Sequence, residues 1–424
     1  MTKSLIPILT LALAAGAMAA KPPPPNPMSG KSVAELHAIL KKGDAPEIDR
    51  ANAALALSEF VSPPQEEKGK KKGKKDKNAP EWELKIPDGF LDAGATGLAD
   101  RASAVRFYSG QALALAGAEA LPTLLKAAGS GNDDEKISAI HAIGMMAKQM
   151  GRKKGTPVDL VAVFGSAVPT LRKALKDGNS IVRETACATF SRLGTAGAPA
   201  IDDLSACLED ENFSVVNRAV HAVAALDPGG AKSVPALVKA LESEHDVREF
   251  IVKELGAMDK AAKAAVPALC KLVGEDKNSW QVALTATRAL LRIVTYDEKP
   301  ETDEMVAERN QALSVIGRTM MTQDAKFLQA RIRNTVLDHT GYCPIGKDAE
   351  PLVECLEETL REFAKTEKGY WGPPLPRLCE LLAEVGGEYK TKELAALAKE
   401  LKAADDTQEV WREEFEPLLK LEKK

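Results

Sequence analysis

Apolar and polar positions repeat about every 32 or 33 residues between Ala167 and Leu291. In each repeat, two apolar residues four places apart precede a polar turn, and a second apolar series follows that turn. A fixed period of this length is typical of stacked helical hairpins, because each unit buries its apolar face against its neighbours. The sequence therefore predicts an all-α fold, an α-α superhelix. One column of equivalent positions, near the start of each second helix, holds Arg183, Val216, Arg248 and Trp280.

Proline and small residues mark the ends of the predicted helices. A proline stands near the start of each first helix, where its missing N–H has no intrahelical partner to lose. Three places after the column named above comes Ala or Ile, and ten places after it comes Leu or Met. These apolar columns are predicted to pack between repeats. The prolines are Pro169, Pro199, Pro235 and Pro267.

The segments that flank the repeats are less regular. Ser32 and Glu35 predict a capping box at the start of a helix over 32–42, and 46–60 completes a first hairpin. Residues 81–97 are predicted to be irregular, with Trp82 and Phe90 as anchors. The predicted organisation is a signal peptide at 1–19, a Pro-rich spacer at 20–31, a hairpin at 32–60, a basic disordered and irregular insertion at 61–97, regular repeats at 98–296, and C-terminal helical repeats with a cap at 297–424.

Composition and length both fit a helical solenoid. Aromatic residues make up only 4% of the chain, which fits small-residue helix packing and argues against a β-sandwich. A chain of 424 residues exceeds one ordinary core, but a solenoid escapes that limit because each repeat contacts only its neighbours.

The irregular C-terminal part also shows helical spacing. The helices predicted after residue 297 cover 303–321, 324–339, 349–365, 375–385, 390–403 and 407–421.

The first residues have the features of a secretory signal peptide. Lys3 supplies a positive start, a short apolar run follows, and Ala17-Met18-Ala19 offers a cleavage site. The alternative is an apolar helix that is retained as an anchor. We expect an exported protein, periplasmic or extracellular after cleavage near Ala19, with no transmembrane segment.

A lysine-rich tract lies within an otherwise acidic chain. Lys68–Lys77 contains seven lysines and one aspartate, whereas the whole chain carries a net charge of −4. The tract has no apolar residue to bury, which favours a disordered loop. The alternative is electrostatic contact with an anionic polymer or a membrane surface, but the tract contains no aromatic stacking residue, so no specific nucleic acid is expected. The lysines that would bind such a polyanion are Lys70, Lys71, Lys72, Lys74 and Lys75.

The cysteines and histidines predict no catalytic or metal site. There is no CxxC and no HExxH, and His141 and His221 fall two repeats apart, too far to share a metal. No nucleophile and base stand out, so no catalytic residue, metal or cofactor is predicted. Cys187, Cys207 and Cys270 occupy predicted helix-core positions, whereas a disulfide among Cys343, Cys355 and Cys379 stays open.

Two stretches resemble a known repeat family. Residues 167–194 (AVPTLRKALKDGNSIVRETACATFSRLG) and 233–256 (SVPALVKALESEHDVREFIVKELG) are similar to HEAT repeats of the short bacterial class that phycobilin-lyase-type proteins share. The resemblance implies a HEAT-like solenoid in which a turn aspartate and a following arginine pair along the stack. Asp177 and Arg183 match both positions. The next repeat keeps Asp210 but has Val216 in place of the arginine.

The resemblance also implies that the second helices line a concave groove. Trp280, in the arginine column, is expected to pack between repeats rather than to contact a ligand. We expect a non-enzymatic exported scaffold that binds a protein or peptide in this groove. The alternatives are an enzyme of the bilin-lyase-like HEAT class and polyanion or envelope binding through the Lys-rich loop. The predicted groove residues are Arg183, Arg218, His221, Arg248, Trp280 and Arg288.

Overall fold

Helices make up every regular element that the computed structural model describes. The described residues are 26–62, 84–151, 158–242, 247–274, 280–294, 311–312, 315–316, 350–365, 378–380, 382–383, 390–404, 407 and 413–423. The predicted signal peptide and the Lys-rich tract lie outside them. The chain divides into two units, Met1–Ala116 and Gly117–Lys424.

The first unit contains two helical hairpins. Its helices are α1 (Val33–Lys41), α2 (Glu47–Phe60), α3 (Phe90–Leu98) and α4 (Ser103–Ala116). The predicted capping box is confirmed: the Ser32 hydroxyl accepts the Glu35 N–H at 3.3 Å, and the Glu35 carboxylate accepts the Ser32 N–H at 2.8 Å. The two bonds satisfy backbone donors that α1 alone leaves unpaired.

The prediction of an irregular chain up to residue 97 is wrong from Phe90 onward, because α3 is a helix. Its glycines suggested a loop, but they allow α3 to approach α4. A Cβ added at Gly94 would lie 2.6 Å from Leu113, and one at Gly97 would lie 1.9 Å from the Ser109 hydroxyl. Phe90 is the anchor that was predicted, since its side chain is fully buried.

The second unit begins with repeated hairpins. Each hairpin has a short first helix and a longer second helix that carries the predicted columns. The shorter α7 (Leu160–Phe164) lies between the first two hairpins. The helix pairs are α5 (Leu121–Ser130) with α6 (Asp133–Met150), α8 (Val168–Ala174) with α9 (Ser180–Leu193), α10 (Ile201–Ala206) with α11 (Phe213–Leu226), α12 (Ser233–Ala240) with α13 (Arg248–Ala257), and α14 (Val266–Gly274) with α15 (Trp280–Val294).

Consecutive second helices pack against one another, from α6 through α9, α11 and α13 to α15. Small residues allow close contact at two of these crossings. A Cβ added at Gly144 would lie 2.9 Å from the Thr189 hydroxyl, and one at Gly256 would lie 3.0 Å from the Ala289 Cβ. The column that begins with Ala186 is buried in each of these repeats, as predicted.

The C-terminal part contains three further described helices, α16 (Glu350–Ala364), α17 (Thr391–Ala403) and α18 (Glu416–Leu419). The first two agree with the sequence prediction. A continuous helix over 407–421 is wrong, since residues 413–415 form a turn before α18. Pro417 explains this start, because proline lacks the N–H that a continuing helix would need. The helices predicted over 303–321, 324–339 and 375–385 lie largely outside the described residues.

An ion-pair ladder connects the second helices to the turns that follow them. Arg183, the fourth residue of α9, donates from Nε and Nη2 to the two carboxylate oxygens of Asp210, at 2.7 and 2.9 Å. Lys136, the fourth residue of α6, contacts Asp177 at 2.9 Å. Each base therefore pairs with the turn aspartate of the next repeat. The ladder stops at Val216, whose side chain is buried.

The same aspartates also order their own turns. The Asn179 N–H donates to the Asp177 carboxylate at 3.0 Å, and the Asn212 N–H donates to the Asp210 carboxylate at 2.9 Å. Arg183 contacts its own repeat through the backbone, because its Nη1 donates to the carbonyl oxygen of Asp177 at 2.9 Å. One carboxylate thus fixes the turn before a second helix and ties that helix to the preceding repeat.

The first unit repeats this arrangement at a place that the sequence analysis missed. Arg50, the fourth residue of α2, donates to both carboxylate oxygens of Asp100, at 2.7 and 3.1 Å. The Ala102 N–H also donates to Asp100, at 2.8 Å. Arg106 donates from Nη1 to the Asp100 carbonyl at 2.9 Å, as Arg183 does with Asp177. The turn and ladder geometry therefore extends upstream of the segment that the sequence pattern delimited.

We expect loss of the Arg183 rung to destabilise the stack. The Arg183 and Asp210 side chains are only 11% and 10% exposed, so Arg183→Met leaves a partly buried carboxylate without its cation. The expected loss is about 2 kcal/mol in the free energy of unfolding, measured by urea denaturation. Arg218→Met is the control, because Arg218 is 51% exposed and its ion pair is worth less than about 1 kcal/mol. Equal losses in both variants would contradict a structural role for the rung.

Acid should weaken the ladder. The Asn179 N–H, followed by Lys136, lowers the pKa of Asp177. Its stabilising contribution is therefore present above the pKa of an unfolded aspartate, about 3.9, and is lost as the pH falls through the lower pKa of the folded state. The stability difference between the wild type and Asp177→Asn should stay constant from about pH 7 to pH 5 and shrink below about pH 4. Urea midpoints across this range test it, and a difference that grows in acid would refute it.

Candidate functional site

The exposed side of the second helices carries residues that the ladder does not use. We call this surface the second-helix face. It is formed by residues of α6, α9, α11 and α13, which contact one another in that order. The residues of this face are His141, Ile181, Glu184, Arg192, Phe213, Asn217, Arg218, His221, Phe250 and Glu254.

Arg192 is the most unusual residue on this face. Its side chain is half-buried and reaches across α6, where a Cβ added at Gly144 would lie 2.9 Å from the Arg192 Nη1. Within the described part of the chain, no hydrogen bond or ion pair engages its guanidinium. Burial lowers the pKa of Arg192, and the like charge of Arg218 lowers it further. Burial followed by Arg192 also lowers the pKa of His141, so this histidine is neutral at neutral pH.

Arg218 and Asn217 bring further unsatisfied groups to the face. Arg218 contacts the Glu184 carboxylate only through Nε, at 3.4 Å, and its side chain is half exposed. The side-chain oxygen of Asn217 is buried and has no hydrogen-bond partner in the described ranges. A buried acceptor without a donor is costly, which makes it a natural contact for a bound N–H.

His221 and Glu254 link α11 to α13 on the same face. The His221 Nδ1 lies 2.6 Å from a carboxylate oxygen of Glu254. A carboxylate at this distance fixes the orientation of an imidazole ring. This pair therefore gives the face a second polar position that is held in place.

Large apolar side chains lie at the start of the second helices. Ile181 is 55% exposed and Phe213 is 45% exposed. The Phe213 ring meets the Phe250 ring edge-to-face, with 6.5 Å between their centroids. The Lys253 ammonium lies 5.7 Å from the centroid of the Phe250 ring. The face therefore combines an apolar edge with charged side chains of both signs.

The structure separates the predicted groove residues into different environments. Arg218 and His221 lie on the second-helix face, and Arg288 is exposed on α15. Arg183 belongs to the ladder, whereas Arg248 donates from Nε to the Leu241 carbonyl of its own hairpin at 3.0 Å. Trp280 opens α15, but its side chain lies outside the described residues, as do Lys70, Lys71, Lys72, Lys74 and Lys75.

Sequence reasoning missed Arg192, Ile181 and Phe213. The available signal was an apolar residue one or two positions after each of the cap residues Asn179 and Asn212, where a helix start usually faces water. Arg192 gave no signal, because it occupies an ordinary polar position near the end of α9.

The cysteines whose side chains are described are all buried. Cys187, Cys207, Cys270 and Cys379 are buried, which confirms the core positions predicted for the first three. Burial raises the pKa of Cys379 to about 12, so its thiol stays protonated at neutral pH. The side chains of Cys343 and Cys355 lie outside the described residues.

Neither a metal cluster nor a membrane span is found in the described ranges. Within them, three or more His, Cys, Asp or Glu side chains nowhere converge as metal ligands would. Across the same ranges, each helix is too short or too polar to cross a bilayer.

Comparisons with known proteins agree with this architecture. The sequence profile of the family described as HEAT repeats matches residues 121–226, 168–249 and 201–291. A search of curated proteins found no match. A solved structure of importin beta shares 12% identity and a TM-score of 0.50, covering 92% of this chain and 57% of the importin chain. At this identity the likeness shows the fold alone.

Two further solved structures are similar to the chain. An engineered protein shares 17% identity with a TM-score of 0.47, over 92% of this chain and 99% of its own. The complex of CpcE and CpcF of phycocyanin lyase from Nostoc sp. PCC7120 shares 18% identity with a TM-score of 0.33, over 71% and 98%. The matched profile and the stacked hairpins lead to one conclusion: residues 121–291 match the HEAT-repeat family and lie in an all-α stack of helical hairpins.

Proposed function

We propose that this protein is a non-enzymatic scaffold that binds a protein or peptide partner on the second-helix face. The observation that carries the proposal is the exposed apolar edge formed by Ile181, Phe213 and the neighbouring Phe250. Single exposed apolar residues are common, but a group of large ones rimmed by polar residues is typical of interaction sites. Aromatic side chains in particular contribute binding energy at low entropic cost.

The division of the polar residues supports the same proposal. Asp177, Asp210 and Arg183 are engaged in the ladder and hold the repeats together. Arg218 is half exposed, and the Asn217 oxygen accepts no hydrogen bond from a described residue. The face therefore has polar groups that contribute little to stacking and are suited to contacts with another molecule.

An enzyme of the bilin-lyase-like class is the alternative, and the His221–Glu254 pair is the observation that favours it. A histidine oriented by a carboxylate is suited to general-base chemistry. The competing assignment is that the pair joins two helices. Adding a bilin and recording its visible spectrum would separate the two, because a lyase should perturb the chromophore and His221→Gln should abolish that effect.

We further propose that the scaffold acts outside the cytoplasm. The support is the positive, apolar and small-residue order of residues 1–19. Fractionating cells and sequencing the N-terminus of the mature protein would test this proposal. A cytoplasmic chain that retains Met1 would refute it.

We expect Phe213 to be an anchor for the partner. The chain without residues 1–19 would be used to select binders from a phage library of random 12-residue peptides, and the selected peptides would be measured by fluorescence anisotropy. Phe213→Ala should raise the Kd about tenfold, since a buried aromatic anchor contributes more than about 1 kcal/mol. Phe107→Ala, at a similarly exposed phenylalanine on α4, is the matched control and should leave the Kd unchanged. Selection of no peptide, or equal loss in both variants, would refute the proposed face.

A further inference from the structure

The partner chemistry follows from Arg192, which has no counter-charge among the residues that the structure describes. We infer that the second-helix face recognises an acidic peptide segment, with Arg192 and Arg218 as its carboxylate receptors. The inference rests on the proposed function and adds the chemical class of the partner. It is carried by Arg192, Arg218 and Asn217, none of which is a ladder residue.

Arg192 presents a charge that the described fold leaves uncompensated. Its half-buried guanidinium lies over Gly144 on α6. The charged side chain that acts on it electrostatically is Arg218, which is also positive. Partial burial of a charge without a partner is unfavourable. The Arg192 guanidinium therefore raises the free energy of the unbound protein, and a bound anion would offset that cost. A carboxylate suits it, because guanidinium and carboxylate form paired hydrogen bonds.

Arg218 provides a second receptor next to the first. Only its Nε contacts Glu184, at a long 3.4 Å, so the two terminal nitrogens remain for a bidentate contact. The two guanidinium groups on neighbouring helices α9 and α11 would then contact successive acidic side chains of one extended segment.

Asn217 and the apolar edge favour a peptide over other polyanions. The buried Asn217 oxygen needs a donor, and a peptide backbone has an N–H at nearly every residue. Ile181 and Phe213 offer apolar contacts that a phosphate polymer cannot fill. The favoured ligand therefore has carboxylates, backbone N–H groups and at least one apolar side chain.

The pool of peptides selected on the wild-type chain tests this inference directly. We expect the pool to be enriched in Asp and Glu over the starting library. Arg192→Gln and Arg218→Gln should each raise the Kd of a selected acidic peptide about tenfold, and the same peptide with Gln for Glu should bind as weakly to the wild type. Binding should also weaken as salt is raised from about 50 to 300 mM.

Arg172→Gln is the matched control. Arg172 is 47% exposed and pairs with Asp203 on the first-helix side of the repeats, so its replacement removes the same charge elsewhere. It should change the Kd less than twofold. Arg192→Gln should also leave the melting temperature unchanged or higher, whereas loss of a structural arginine such as Arg183 lowers it.

The outcomes separate the inference from the proposed function. Peptides that depend on Phe213, show no acidic enrichment and bind both arginine variants normally would overturn the inference and leave the scaffold proposal standing. Selection of no peptide would overturn both. A labelled single-stranded oligodeoxythymidine that binds this face more tightly than the acidic peptide would also overturn the inference.

Discussion

The aspartate carboxylate in each ladder turn is the constraint on which that part of the repeat stack depends. The carboxylate accepts a hydrogen bond from the backbone N–H two residues later, which fixes the turn that leads into a second helix. It also accepts a hydrogen bond from a basic side chain of the preceding second helix. The turn and the inter-repeat contact are therefore set by the same atoms. Asp100 does this in the first unit, and Asp177 and Asp210 do it in the second. Burial raises the pKa of Asp100, but the hydrogen bonds from Arg50 and the Ala102 N–H outweigh burial and keep the pKa low.

Two arginines of α9 lie in different environments. Arg183 is nearly buried and bidentate to Asp210, so it stabilises the contact between two repeats. Arg192, nine residues later on the same helix, is half-buried and has no counter-charge among the described residues. An unpaired, half-buried arginine such as Arg192 does not stabilise the repeat stack. It would interact strongly with a bound anion, because partial burial reduces the screening of its charge by solvent. The apolar edge at Phe213 adds the contact area that charge alone does not provide.

Features that depend on residues close together in the sequence were predicted correctly, whereas features that depend on contacts between distant residues were missed. The capping box at Ser32 and the buried column at Ala186 were predictable, because each depends on residues a few places apart. The helix α3 was missed because Gly94 and Gly97 have a low helix propensity. Leu113 and Ser109 of α4 occupy the space that side chains at these two positions would need. Such a contact between distant residues does not enter a prediction from helix propensity. The predicted groove residues included Arg218 and His221, which lie on the second-helix face. They also included Arg183, which pairs with the next repeat, and Arg248, which contacts its own hairpin.

The period, the hairpins, the buried columns and the all-α class could be read from the order of residues, because they follow from residue spacing along a helix. Which charges meet depends on how the hairpins pack. Arg183 reaches Asp210 over 27 residues and Lys136 reaches Asp177 over 41, and such pairs depend on how one hairpin is set against the next. The uncompensated state of Arg192 is of the same kind. It exists because the crossing at Gly144 lets α9 approach α6 while no carboxylate of the described chain arrives beside it.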